Sequence, residues 1–174
     1  MKNVVVAIVL TCFAAGIAIG QEPTFGRYPA VVEPVKAKAI DFRGSPGASA
    51  FRTRLREAFE GGVNFAGHYI LTGWGCGTGC TSGAIIDART GRVYFPEELA
   101  GVAVWFGSGP DDDFETFEFR KDSRLLIIRG TAGPMEEQDD VDVVSWQGTY
   151  YYQWLGTRFR MIKFVPDESR KDGE

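Results

Sequence analysis

From Phe65 onward the chain alternates apolar and polar residues with a period of two, and turn signals interrupt it every few residues. That pattern constrains the fold more than any other feature, because strand side chains alternate between faces while helical ones recur every three or four. The runs fall at 69–74, 84–87, 92–95, 102–106, 114–119, 125–129, 141–146, 150–154 and 158–164. Turns between them are short: Arg89-Thr90-Gly91, Lys121-Asp122-Ser123, Gln147-Gly148 and a turn at Gly156. Parallel neighbours need crossovers of a dozen or more residues, so these strands must pair antiparallel. In the last run Phe159 and Met161 are expected on one face and Arg158 and Arg160 on the other. The mature length would admit four propeller blades of about 40 residues, but no blade signature repeats.

One helix stands apart from this pattern. Ser45 offers a cap, Pro46 suits the first helical position, and Ala48, Phe51, Leu55, Ala58 and Phe59 recur at spacings of three and four before Gly61. The spacing predicts a helix over 45–60, with Phe51, Leu55 and Phe59 buried and Arg52, Arg54 and Arg56 facing mostly away. Residues 21–43 carry three prolines and read as an extended lead-in, with an edge strand at 37–42. A hydrophobic fraction of 44% against 24% charged supports one packed domain, 44–166. A charged tail at 167–174 follows. The expected fold is mainly β (α+β): an antiparallel β-sandwich or strongly curved meander sheet of about eight strands, with one N-terminal helix packed on it.

The first 20 residues read as a secretory signal peptide. Lys2 precedes an apolar run over 4–19, and Ala18-Ile19-Gly20 leads into polar Gln21 and Glu22. The competing reading is a membrane anchor, but 16 residues fall short of the roughly 20 that a bilayer span needs. Thr11 before Cys12 fits a lipoprotein signal poorly. The mature chain would be secreted or periplasmic and would keep two cysteines, Cys76 and Cys80, in an oxidising compartment. Its charge would be −5, from eighteen bases and twenty-three acids. That balance argues against a nucleic-acid partner. The charge is uneven: 108–142 holds eleven acids against four bases, whereas 21–60 holds seven bases against five acids.

Chemistry concentrates in Gly73-Trp74-Gly75-Cys76-Gly77-Thr78-Gly79-Cys80-Thr81-Ser82-Gly83. So many glycines cost backbone entropy and need a reason. The first reason is a structural Cys76–Cys80 disulfide closing a tight ring. The entropy of closing five residues amounts to about 2 kcal/mol. A redox or metal site, free thiols, or an anion nest of glycine amides are the alternatives. No Gly-Lys-Ser/Thr ending supports a P-loop. His68 could join Cys76 and Cys80 around copper or zinc. Against this, on a straight strand they lie on the order of 20 Å apart, and three ligands are an incomplete set.

His68 is the sole histidine. It is either a general base beside Ser82, Ser108 or Ser145, or a partly buried side chain held by the backbone. No Gly-x-Ser-x-Gly elbow is present. Asp111, Asp112, Asp113 and Glu115 form one acidic cluster, and Glu136, Glu137, Asp139, Asp140 and Asp142 another. Calcium binding or glycoside hydrolysis could use such groups, but neither matches a calcium loop, and solvated loops near Pro110 and Pro134 are the simpler reading. Tyr150, Tyr151, Tyr152, Trp154 and Trp146 offer a contact patch, of which alternation sends at least half inward.

These readings favour a non-catalytic binding domain with a disulfide-clamped glycine loop, a protein or envelope partner, no cofactor and no metal. Its candidate site is His68, Trp74, Gly75, Gly77, Thr78 and Gly79. The alternative is a small thiol-disulfide or metal-binding protein or enzyme centred on His68, Cys76 and Cys80. The mature protein is expected to begin at or near Gln21. Intact-mass measurement of secreted material checks this, and a mass that retains residues 1–20 would overturn it.

Overall fold

The alternation resolves into eight strands in two antiparallel sheets, seen in a computed structural model that describes residues 21–35, 39–103, 115–132 and 147–167. In the first sheet β1 (Tyr69–Gly77) pairs with β2 (Cys80–Asp87). The far side of β2 takes β3 (Val93–Tyr94) at one end and β4 (Val102–Ala103) at the other. The second sheet runs β5 (Phe117–Phe119), β6 (Leu125–Gly130), β7 (Gly148–Trp154), β8 (Phe159–Pro166) in spatial order. Ala103 also exchanges backbone hydrogen bonds with Thr131, at 3.1 and 2.9 Å, so β4 ties the two sheets together at one corner.

The sheets pack face to face around Phe65, Tyr69, Leu71, Ile85, Leu99, Val102, Phe117, Leu126, Ile128, Tyr150, Tyr152, Trp154 and Phe159. Alternation places Ile70, Trp74, Ala84 and Ile86 on the other face of the first sheet, under the helix. Beneath Phe117 of the second sheet, Gly73 pairs with Gly83. A Cβ on Gly73 would sit 3.1 Å from the Phe117 ring, and one on Gly83 3.2 Å from it and 2.8 Å from the Thr72 carbonyl oxygen. The two glycines thus make the slot that the aromatic ring occupies.

The helix is shorter than the spacing predicts. A 3-10 turn at Ala48–Phe51 leads into α1 (Arg52–Gly61), whose cap position is Phe51. Ser45 does not cap it. The buried Ser45 hydroxyl instead accepts the Val93 N–H at 2.9 Å, which ties the helix entry to β3. Leu55 is fully buried, while Phe51 and Phe59 are half-buried against the same cluster.

Other expectations shift as well. No strand forms over 39–42; Asp41 donates a single backbone bond to Gly91 at 2.9 Å, and 36–38 lie outside the described residues. The lead-in covers the outer face of the second sheet instead. Phe25 and Tyr28 pack with Leu125, Ile127 and Tyr151, and the Ser123 hydroxyl meets the Phe25 and Tyr28 carbonyls at 2.9 and 3.0 Å. With both faces of that sheet covered, Tyr150, Tyr151, Tyr152 and Trp154 are all buried, so they present no aromatic surface. Trp146 and the run at 141–146 lie outside the described residues, as do 104–106 and the tail from 168. On β8, Phe159 is buried but Met161 is more than half exposed. A register shift opposite Tyr151 and Tyr152 interrupts the alternation there, on a strand at the sheet edge.

Leu55→Ala should cost about 2–5 kcal/mol, as large-to-small changes at fully buried sites do. Denaturant unfolding measures it, and an unchanged midpoint would remove Leu55 from the core.

Candidate functional site

The glycine segment is a hairpin rather than a loop. β1 runs on past Trp74 to Gly77, and the ladder with β2 holds from Tyr69↔Asp87 to Gly77↔Cys80, with a register shift between Gly75 and Gly77. Thr78 and Gly79 make the reversal, and Gly79 takes φ +65°, a conformation that glycine adopts without steric cost. Cys76 and Cys80 are disulfide-bonded, with Cα atoms 5.2 Å apart. The cross-link closes the free end of the hairpin, where Cys76, Gly77 and Thr78 are exposed.

β1 borders the first sheet, and its outer edge changes character along its length. At Leu71 the Asn64 side chain satisfies both backbone groups. The Leu71 N–H donates to Asn64 Oδ1 at 2.8 Å, and Asn64 Nδ2 donates to the Leu71 carbonyl at 2.9 Å. Every second residue of a strand faces the same way in the hydrogen-bonding plane, so Gly73 and Gly75 also turn their N–H and C=O groups outward. Among the described residues nothing occupies that stretch, and both glycines are exposed.

Beside this edge lies a cleft of about 450 Å³ that includes Ser49, Phe51, Arg52, Thr53, Arg54 and Trp74 in its wall. Trp74 forms the side nearest the hairpin, its ring 4.7 Å from that of Phe51. Arg52 lies over the Phe42 ring at 4.3 Å. Neither Arg52 nor Arg54 makes an ion pair among the described residues. Two arginines of the first turn of α1 thus line the cleft, where the helix dipole adds to their positive charge.

His68 sits at the opposite end of β1 and does not join the cysteines. Its carbonyl accepts the Ala88 N–H at 3.0 Å, and its Nδ1 is 3.7 Å from Glu33 Oε1. Glu33 Oε2 is in turn 3.7 Å from Arg89, and Arg89 Nε 3.7 Å from the buried Asp87 carboxylate. This chain of charges pins the lead-in to the β2–β3 turn, where Gly91 has φ +78°. Burial pushes the His68 pKa down, and Arg89 adds to that. Asp87 and Glu33 oppose the shift, while Arg124 contributes a smaller lowering. His68 Nε2 is buried without a hydrogen-bond partner among the described residues. Sequence reasoning singled out His68 but not Glu33, Asp87 or Arg89. The Glu33–His68 and Glu33–Arg89 contacts span 35 and 56 residues, so no local spacing could have found them.

Among the described residues no serine is bonded to His68. Ser82 pairs across from Trp74, toward the hairpin tip, and its hydroxyl accepts the Gly101 N–H at 3.0 Å. Ser108 and Ser145 lie outside the described residues, as do both acidic clusters except Glu115, which is exposed. Among the described residues no three His, Cys, Asp or Glu side chains are grouped to hold a metal ion. Comparison with protein-family models, with curated proteins and with solved structures gave no match.

The depressed His68 pKa sets a direction for pH dependence. Below the ordinary value of 6.5 the unfolded chain takes up a proton that the folded chain resists. The neutral-histidine contribution is therefore present above 6.5 and is lost as pH falls toward the lower folded-state value, with a slope of at most about 1.4 kcal/mol per pH unit. Between pH 7 and pH 5 the wild-type melting temperature should fall further than that of His68→Gln. Parallel melting profiles would remove the effect.

Proposed function

We propose that this chain is a non-catalytic binding domain of the secreted or periplasmic space that contacts a protein or envelope partner through its disulfide-closed hairpin. The observation that carries this reading is the hairpin itself. A covalently closed glycine-rich strand pair reaches into solvent, with an open edge and a positively charged cleft beside it. Preorganising such an element lowers the entropy cost of binding. A disulfide persists where the environment is oxidising, which fits the secretory reading of the N-terminus. The same bond occupies both sulfurs that a thiol or copper site would use, and His68 lies a strand's length away.

Site-specific photo-cross-linking in the native host tests the reading. A photoreactive side chain placed at Thr78 should give one defined adduct, and the same group at exposed Thr157, near the His68 end, should not. Replacing both Cys76 and Cys80 by Ser should lower stability by only about 2 kcal/mol, the short-ring contribution, and weaken the adduct while the fold survives. Absence of any adduct at Thr78, or equal adducts at both positions, would overturn the proposal.

A further inference from the structure

We infer that the β1 edge at Gly73 and Gly75 accepts an extended, acidic segment of a partner protein as an added strand. This rests on the binding role proposed above and names the occupant of that site. Exposed sheet edges offer rows of unpaired N–H and C=O groups to a further strand, and proteins ordinarily shield them with charge, proline or a covering segment. Here the shielding stops partway. Asn64 makes strand-like bonds to both backbone groups of Leu71. The next two outward-facing residues are glycines, with no side chain to hold a neighbouring backbone off. Paired to β2 on its inner side and closed by the Cys76–Cys80 bond, this stretch is a rigid template.

The charge of the occupant follows from the alternation of faces. Gly73 lies on the Phe117 side of the sheet, and Trp74 on the helix side. Residues paired across two strands point the same way. A guest residue opposite Trp74 therefore aims its side chain at the cleft that Arg52 and Arg54 help to line, where a carboxylate would meet positive charge that has no ion pair among the described residues. Its neighbours, opposite Gly73 and Gly75, face the other way, at the rim of the inter-sheet core, and favour apolar side chains. The expected motif is apolar–acidic–apolar in extended conformation. A second copy of this chain is the poorer guest. Edge-to-edge pairing about Trp74 would set two arginine-lined clefts side by side, and like charges repel at that range.

The test uses the full mature chain, oxidised and ¹⁵N-labelled. It is titrated with a capped peptide Thr-Thr-Val-Glu-Val-Thr-Thr, with a Lys-for-Glu version, and with a version N-methylated on both valines. The acidic peptide should shift the Gly73 and Gly75 amides and slow their exchange with solvent. The Lys and N-methylated peptides should bind at least tenfold more weakly. Gly75→Pro removes an outward donor without touching the ladder to β2 and should abolish binding. Should that variant misfold, Arg52→Glu with Arg54→Glu supplies the independent check by reversing the preference toward the Lys peptide. Equal binding of the N-methylated peptide, or no amide shift at millimolar peptide, would overturn the inference. So would a peptide-free dimer protected at this edge, or the same amides already protected in the isolated monomer by the chain's own acidic segments. Failure here with the Thr78 adduct still forming would discard the acidic strand as occupant but not the binding role.

Discussion

Close approach of the two sheets at the Gly73–Gly83 pair is the constraint on which the rest of the structure depends. The Phe117 ring lies against this pair, so a side chain on either residue would meet it. That contact brings β5 over the first sheet and lets Leu71, Ile85 and Val102 meet Leu126, Ile128 and Tyr152 across the interior. Protein interiors are packed as densely as organic crystals, and adding one methyl group at such a contact forces backbone or ring to move. The exposed edge of β1 is thus a by-product of core packing as well as a surface feature. The same Gly73 that admits Phe117 beneath leaves its backbone bare at the edge.

Most strand positions and turns were legible in the sequence because both are local. Alternation over 84–87, 125–129 and 150–154 marks real strands, and Arg89-Thr90-Gly91 is the turn it reads as. The helix entry was misread because Ser45 and Pro46 look like a cap and first turn. A hydrogen bond across 48 residues to Val93 draws the serine elsewhere, and no local rule anticipates it. Glycine content misled in the same way. A run of glycines looks like a loop when propensity is read alone, yet this one forms strand through its ladder with β2, and only Gly73 and Gly83 lie against the opposing sheet's Phe117. The aromatic patch vanished for a related reason, since the lead-in covers a face that alternation alone would leave in water.

Of the candidate site, the sequence showed the cysteine pair and Trp74 but not what makes them usable. The edge is open because β1 is outermost among the described residues, and the cleft forms because α1 begins beside Trp74. Arg52 and Arg54 read from sequence as a solvated helix face. Their placement against a β-edge follows from packing that no spacing rule contains.

Between its two ends the molecule divides order from access. At the His68 end, the buried Asp87 together with half-exposed Arg89 and Glu33 clasps the lead-in against β1 and β2. The segment that covers the second sheet is held separately, by the Ser123 hydroxyl and by backbone bonds from Ala30 to Asp122 and from Arg124 to Tyr28. At the hairpin end the backbone is exposed, the side chains are mostly absent, and a single covalent bond supplies the rigidity that packing cannot. Where few apolar contacts hold a strand pair, local opening is cheap unless a cross-link limits it. A disulfide at that position contributes little to global stability. It restricts the strand to one shape where the fold would otherwise let it fray, which is what a template for a partner strand requires.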